Sequence, residues 1–225
     1  ISVVGVLNNL ELLNANEVSI GAGVPCVKAA RFAAKNGLSG IEFLAGIPGS
    51  IGGALAMNAG AYGGDIWKNL NQVETINRGG EHKVYAKENF NVAYRSVPIP
   101  KNEWFTSCKI ELEISTKSAV EKDIKMMLNE RALAQPLGQL SCGSVFRNPS
   151  EKHAAKLIEI CGLKGKHIGG AYVSEKHANF IINMGDATSA DIERLIKLVY
   201  ETVYEEHAIK LIPEVRIVGT SWREQ

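Results

Sequence analysis

The stretch Gly46-Ile47-Pro48-Gly49-Ser50-Ile51-Gly52-Gly53 decides how the rest of the chain is read. Glycine at this density permits positive φ angles and lets the backbone approach a ligand or another segment closely. Successive amides in such a turn can form an anion-binding nest, so a phosphate loop and a tight structural turn both fit. No Gly-Lys-Ser/Thr follows, which excludes a Walker loop, and no strand immediately precedes it, which argues against a dinucleotide fingerprint. The continuation, Met57-Asn58-Ala59-Gly60-Ala61-Tyr62-Gly63, is a second run of small residues. A flat ligand can lie against such a backbone, or two backbone segments can pack there.

Outward from this glycine-rich centre, where regular periodicity is lost between Gly40 and Gly64, ordinary elements resume on both sides. Residues 17–22 read as a strand and Val24–Lys35 as a helix stopped by Asn36-Gly37. Downstream, strand signals cover Gln72–Asn77 and His82–Ala86 across the turn Arg78-Gly79-Gly80-Glu81, and again Trp104–Ile114. Ser118-x-x-Glu121 reads as a capping box for a helix with the stripe Val120, Ile124, Met127, Leu128, ended by Pro136. Leu140–Pro149 is expected to be a polar loop and His153–Cys161 a helix. Val173 and Phe180–Asn183 read as strand pieces, and Thr188-x-x-Asp191 caps a last long helix. The chain is expected to finish with a strand over Leu211–Val218, with Pro213 favouring its start or a sheet edge. A domain boundary is expected near residue 116, giving domains 1–116 and 117–225.

Composition limits the function classes. With 45% hydrophobic and 22% charged residues, the 225-residue chain has the balance of a folded globular protein. A net charge of +1 and the lack of a basic run argue against nucleic acid as an obligatory partner. Four scattered cysteines (Cys26, Cys108, Cys142, Cys161) show no metal spacing and read as free thiols of a reducing compartment. No metal is expected. No apolar run approaches the roughly 20 residues of a bilayer span.

Three further motifs carry possible chemistry. Tyr94-Arg95 offers a permanent cation suited to a carboxylate or a developing oxyanion, although a lone arginine is commonly a solvated surface group. Cys142-Gly143-Ser144-Val145-Phe146-Arg147-Asn148-Pro149 presents a serine after glycine but is not a G-x-S-x-G elbow, so a proton-donor role fits better than a nucleophile. Pro213-Glu214-Val215-Arg216 sets a carboxylate beside a cation, for which a surface ion pair is the plain reading.

Together these pieces resemble one family, the UDP-N-acetylenolpyruvoylglucosamine reductases (MurB), from about Val18 to Gly219. The resemblance rests on Gly40-Ile41-Glu42-Phe43, Gly46-Ile47-Pro48-Gly49, Asn58 to Gly63, Tyr94-Arg95, Gly143 to Phe146, Ser174-Glu175-Lys176-His177-Ala178-Asn179-Phe180 and Pro213-Glu214-Val215, in that order. The Ser174–Phe180 stretch resembles the shorter, second type of the family. The implied fold class is α+β: the C-terminal half of a vanillyl-alcohol-oxidase/PCMH-type FAD-binding domain, then a MurB-type C-terminal α+β substrate domain.

The implied reaction reduces UDP-N-acetylglucosamine enolpyruvate to UDP-N-acetylmuramate with NADPH through FAD, for peptidoglycan synthesis in the cytoplasm. By resemblance, Arg95, Ser144 and Glu214 are catalytic: charge stabiliser, proton donor and orienting carboxylate. Gly46, Ile47, Pro48, Gly49, Ser50, Gly52, Gly53, Asn58, Ala59, Gly60 and Ala61 would hold FAD. Tyr94, Arg95, Gly143 and Asn148 would contact the substrate. Three departures stand out. The family's earlier Gly-Gly-Gly-Ser-Asn-type loop is absent, so the chain reads as N-terminally truncated and impaired alone. Ala134 stands where the family's Arg-x-x-Lys-x-Pro pattern has lysine, and Tyr94-Arg95-Ser96-Val97 only partly follows Tyr-Arg-x-Ser. A nucleotide-sugar-binding fragment and an alcohol oxidase of the same flavin fold are the competing readings.

Overall fold

The computed structural model describes Val3 and residues 5–219, and its packing forms two compact units, Ile1–Arg131 and Ala132–Gln225. Both mix helix with antiparallel sheet, the α+β class expected from sequence. The first unit runs β1 (Leu10–Leu12), β2 (Glu17–Gly21), α1 (Cys26–Lys35), β3 (Leu38–Ser39), α2 (Ile51–Ala56), β4 (Gly60–Ala61) and β5 (Gly64–Asp65). It continues through β6 (Leu70–Asn77), β7 (His82–Ala86), β8 (Glu103–Glu111), β9 (Glu113–Ile114) and α3 (Lys117–Ala134), which extends just past the division. Its main sheet has the order β1-β2-β8-β6-β7.

Alanine makes the first unit's packing close. Ala29, Ala30, Ala33 and Ala34 form the buried face of α1, and this short-side-chain face meets the 3-10 turn Glu42–Gly46 at the entrance to the glycine-rich loop. Trp67 anchors the next segment: its ring centroid lies 4.9 Å from Phe90 and 6.0 Å from Phe105. Its indole N–H donates to the Leu55 carbonyl at 2.8 Å, so the end of α2 is tied to an aromatic core.

The second unit runs β10 (Leu140–Ser144), α4 (Ala154–Ile160), β11 (His167–Ile168), β12 (Ala171–Val173), β13 (Phe180–Asn183) and α5 (Ser189–His207). Its sheet has the order β10-β13-β12-β11. Leu195, Ile196, Val199 and Val203 of α5 pack with Leu157 and Ile158 of α4 and with Ile181 of the sheet. Phe180 and Ile182, of opposite parity to Ile181, are also buried.

Several expected elements form differently. α3 is capped by Thr116, whose hydroxyl accepts the Ala119 N–H at 3.2 Å; Ser118 therefore lies inside the first turn and is not the cap. Leu140–Ser144 is a strand, because its backbone pairs with β13 although Leu140, Ser141 and Cys142 stay exposed. The expected strand over Leu211–Val218 reduces to a single bridge, Phe146 to Pro213, since proline has no N–H to extend a ladder. Glycine-rich Gly40–Gly64 contains α2 and the small hairpin β4-β5 despite its lack of periodicity. The Trp104–Ile114 strand is divided at Leu112, whose N–H goes to the Asn16 carbonyl. Sequence places a domain division after residue 116, whereas the packing divides after Arg131, because Val120 and Ile124 of α3 are buried in the first core.

Candidate active site

The loop Gly46–Ser50 is held by the segment before α1. No side chain caps α1; instead the Cys26 N–H donates to the Gly49 carbonyl at 3.0 Å, and Pro25 bridges Ser50. Gly49 is at φ 123°, a backbone conformation reserved in practice for glycine. The Ile51 and Gly52 amides turn inward to the carbonyls of Val24 (2.9 Å) and Ala22 (2.8 Å), and the Gly53 amide meets the Ser50 hydroxyl at 3.4 Å. Those three donors are spent inside the protein, so they do not form the convergent nest that glycine density alone allowed. A Cβ on Gly52 would lie 3.0 Å from the Ala22 Cβ; close packing is what excludes a side chain there. Glu42 braces the entry with both carboxylate oxygens on the Gly40 N–H, at 2.9 and 3.0 Å.

The second small-residue run and Tyr94-Arg95 meet, although 35 to 37 residues separate them. Ala93 and Ser96 close a tight turn with Tyr94-Arg95 at its tip, and Arg95 takes φ 54°. The Arg95 guanidinium donates to the carbonyls of Asn58 (3.2 Å) and Gly60 (3.3 Å) and lies 5.5 Å from the Tyr94 ring centre. Asn58 and Tyr62 also have positive φ, at 41° and 54°. Three non-glycine residues in sparsely allowed backbone therefore lie on two short connected loops, a concentration typical of binding sites. Asn58 donates its amide to Ala93 O at 3.3 Å, while its buried Oδ1 has no hydrogen-bond partner among the described residues. Thr106 Oγ1 is in the same condition, on the residue whose carbonyl accepts the Ala22 N–H.

In the second unit, Ser144 ends β10 just after a bulge. Between Ser141 and Ser144 the strand advances three residues while β13 advances two, and Gly143 at φ 80° absorbs the extra residue. Bulges re-aim the following side chain. Ser144 is half-buried, and the Gly143 Cβ position faces open space. The next two residues, Val145 and Phe146, are buried, and the Glu214 N–H donates to the Val145 carbonyl at 2.8 Å. Ser144 and Glu214, 70 positions apart, are thus brought onto paired segments.

Asn148 caps α4 from a distance, its Oδ1 accepting the Ala154 N–H at 3.1 Å. The Ser174–Phe180 motif forms a turn in which the Ser174 hydroxyl accepts the N–H groups of Lys176 and His177. His177 Nδ1 accepts the Asn179 N–H, and burial lowers the imidazole pKa. The role of Asn179 within this motif was not legible in sequence; its only signal was its membership of the motif. Burial pushes the Cys26 and Cys108 thiols up to about 11 and 12 and also raises Cys142, so none is an activated nucleophile. Among the described residues no three His, Cys, Asp or Glu side chains converge, and no helix is long and apolar enough to cross a membrane.

Comparison with known proteins adds an independent line. Residues 135–218 match the family described as UDP-N-acetylenolpyruvoylglucosamine reductase, C-terminal domain, and residues 1–85 match an FAD binding domain. A UDP-N-acetylenolpyruvoylglucosamine reductase from Nitrosococcus oceani is 48% identical over 219 residues, covering 97% of this chain and 74% of the relative. One from Legionella pneumophila (strain Corby) is 53% identical over 216 residues, covering 96% and 70%. The crystal structure of UDP-N-acetylenolpyruvylglucosamine reductase (MurB) from Thermus caldophilus matches with a TM-score of 0.82 at 32% identity, over 95% of this chain and 75% of that one.

Proposed function

This chain belongs to the UDP-N-acetylenolpyruvoylglucosamine reductase family, and from that premise we propose that it reduces UDP-N-acetylglucosamine enolpyruvate to UDP-N-acetylmuramate. The reductant is NADPH and the cofactor FAD, and the product serves peptidoglycan synthesis, and through it cell shape and division, in the cytoplasm. The first compact unit, through Arg131, supplies the flavin-binding part and the second unit the substrate-binding part; α3, which sequence assigns to the second domain, packs in the first core.

The residues present fit FAD. Asn58 Oδ1 is a buried acceptor without a protein partner among the described residues, and it lies in the small-residue run. A flavin and its ribityl chain carry N–H and O–H donors that complement such an atom. Gly46–Gly53 and Asn58–Ala61 would hold the group by close backbone approach. When bound, FAD accepts reducing equivalents from NADPH and supplies hydride to the enolpyruvyl methylene carbon.

The chain's own part is to manage charge and one proton. Arg95 binds the substrate carboxylate and stabilises the negative charge that builds beside it, with Tyr94 stacked near its guanidinium. Glu214 orients that group. Ser144 delivers the proton to the adjacent carbon, a step suited to a strongly basic acceptor because a serine hydroxyl is a weak acid. Gly143 and Asn148 contact the nucleotide sugar. The observation that carries this reading is the pairing of the Ser144 and Glu214 segments through Val145.

The test is direct: FAD-loaded protein should consume NADPH in sustained turnover only with the enolpyruvyl substrate and release UDP-N-acetylmuramate. Nucleotide-sugar binding without that turnover would overturn the proposal.

A further inference from the structure

We infer that Asn179 is a positioning residue for Ser144, holding the proton donor at a fixed offset from Glu214. The inference rests on the donor role proposed for Ser144. The ladder between β10 and β13 ends at the pair Ser144–Phe180. Val145 and Phe146, which follow, are each 1% exposed, so their peptide groups have no access to water. Buried backbone donors and acceptors require partners.

Asn179, itself 3% exposed, supplies three of the four. Its carbonyl accepts the Val145 N–H at 2.9 Å, its Oδ1 accepts the Phe146 N–H at 3.0 Å, and its Nδ2 donates to the Phe146 carbonyl at 2.8 Å. The side-chain amide thereby acts as an extra peptide unit, extending the pairing past the end of the strand. The fourth group, the Val145 carbonyl, accepts the Glu214 N–H.

The two residues after Ser144 are therefore clamped on one side by Asn179 and on the other by the Glu214 segment. Only an amide provides both halves of the Phe146 contact: aspartate lacks the donor and faces the Phe146 carbonyl with a second acceptor. Without the clamp Ser144 can shift, and a displacement near 1 Å at a reacting group costs on the order of 100-fold in rate.

The experiment uses FAD-loaded protein with rapid mixing of each half-reaction for wild type, Asn179→Asp and Ser144→Ala, with Asn179→Ser read in place of the aspartate variant if that one fails to fold. Asn179→Asp should leave flavin reduction by NADPH within about twofold and slow reoxidation by the enolpyruvyl substrate about 10- to 100-fold. The solvent deuterium isotope effect on reoxidation should rise, as proton delivery becomes limiting. Equal slowing of both half-reactions, or an unchanged isotope effect, would mean Asn179 serves folding alone and would overturn the inference. Unimpaired reoxidation in Ser144→Ala would instead remove the donor role on which it rests.

Discussion

Gly60→Ala tests whether close backbone approach, not flexibility, explains the second small-residue run. Gly60 pairs with Asp65 and Ala61 with Gly64 in the β4-β5 hairpin. A Cβ at residue 60 would lie 2.4 Å from the Gly64 carbonyl oxygen and 3.0 Å from the Asp65 Cβ, whereas ordinary contact begins at 3.4 Å. The two strands must part by about 1 Å. Overpacking of this kind costs about 1–3 kcal/mol. Alanine also restricts the unfolded chain, which returns about 0.4–1 kcal/mol where the native backbone suits it. The expected net loss is about 1–2 kcal/mol, or roughly 2–8 °C in melting temperature for a chain of this size. The Gly60 carbonyl, already 3.3 Å from Arg95 Nη2, would also be displaced, so KM for the enolpyruvyl substrate should rise. Gly63→Ala is the control: its Cβ would meet nothing within 4 Å, and its φ of 77° adds only backbone strain. Thermal melting and steady-state kinetics of the two variants separate the effects. A Gly60→Ala protein that melts with wild type and keeps its KM would refute the close-approach reading.

Two further outcomes follow from the geometry. Arg95→Lys should raise KM and lower kcat by about 10-fold or more, because a single ammonium cannot reproduce a planar fork that reaches Asn58 and Gly60 together; kinetics within twofold of wild type would contradict this. Glu103 accepts bonds from Lys83 (2.7 Å), Thr75 (2.8 Å) and Tyr85, and these, led by Lys83, hold its carboxyl below the ordinary value. Its folded pKa being the lower one, the stability it contributes is complete above the ordinary carboxylate value and is lost as pH falls below that and through the folded pKa. Urea melts across this acid range should show a shallower pH slope for Glu103→Gln than for wild type, and identical slopes would count against the network.

Local chemistry was the legible part of the sequence. The Thr188-x-x-Asp191 box forms as read, with Thr188 N–H on Asp191 Oδ2 at 2.9 Å and Asp191 N–H on the Thr188 hydroxyl at 3.1 Å. The turn Arg78-Gly79-Gly80-Glu81 joins β6 to β7, and α1 stops at Asn36-Gly37. What stayed hidden depends on contacts distant in sequence. Glycine density at 46–53 could not reveal that the amides of residues 51–53 point inward, since their acceptors include Ala22 and Val24. Strand β10 reads as a loop because its segment is polar and contains glycine, while its strand character comes from a partner some forty positions away. The meeting of Arg95 with Asn58, and of Asn179 with Phe146, are likewise tertiary facts. No periodicity encodes a side chain that completes another segment's backbone pairing.

The most direct measurement is rapid-mixing absorbance of the FAD-loaded Ser144→Ala protein, following the flavin in each half-reaction. NADPH should bleach the flavin at close to the wild-type rate, because the hydroxyl has no part in that step. Recovery of the yellow colour on adding the enolpyruvyl substrate should then be slowed by about 100-fold or more, the scale of a lost general acid. Recovery at the wild-type rate, or equal slowing of both steps, would contradict the assignment of Ser144 as the proton donor.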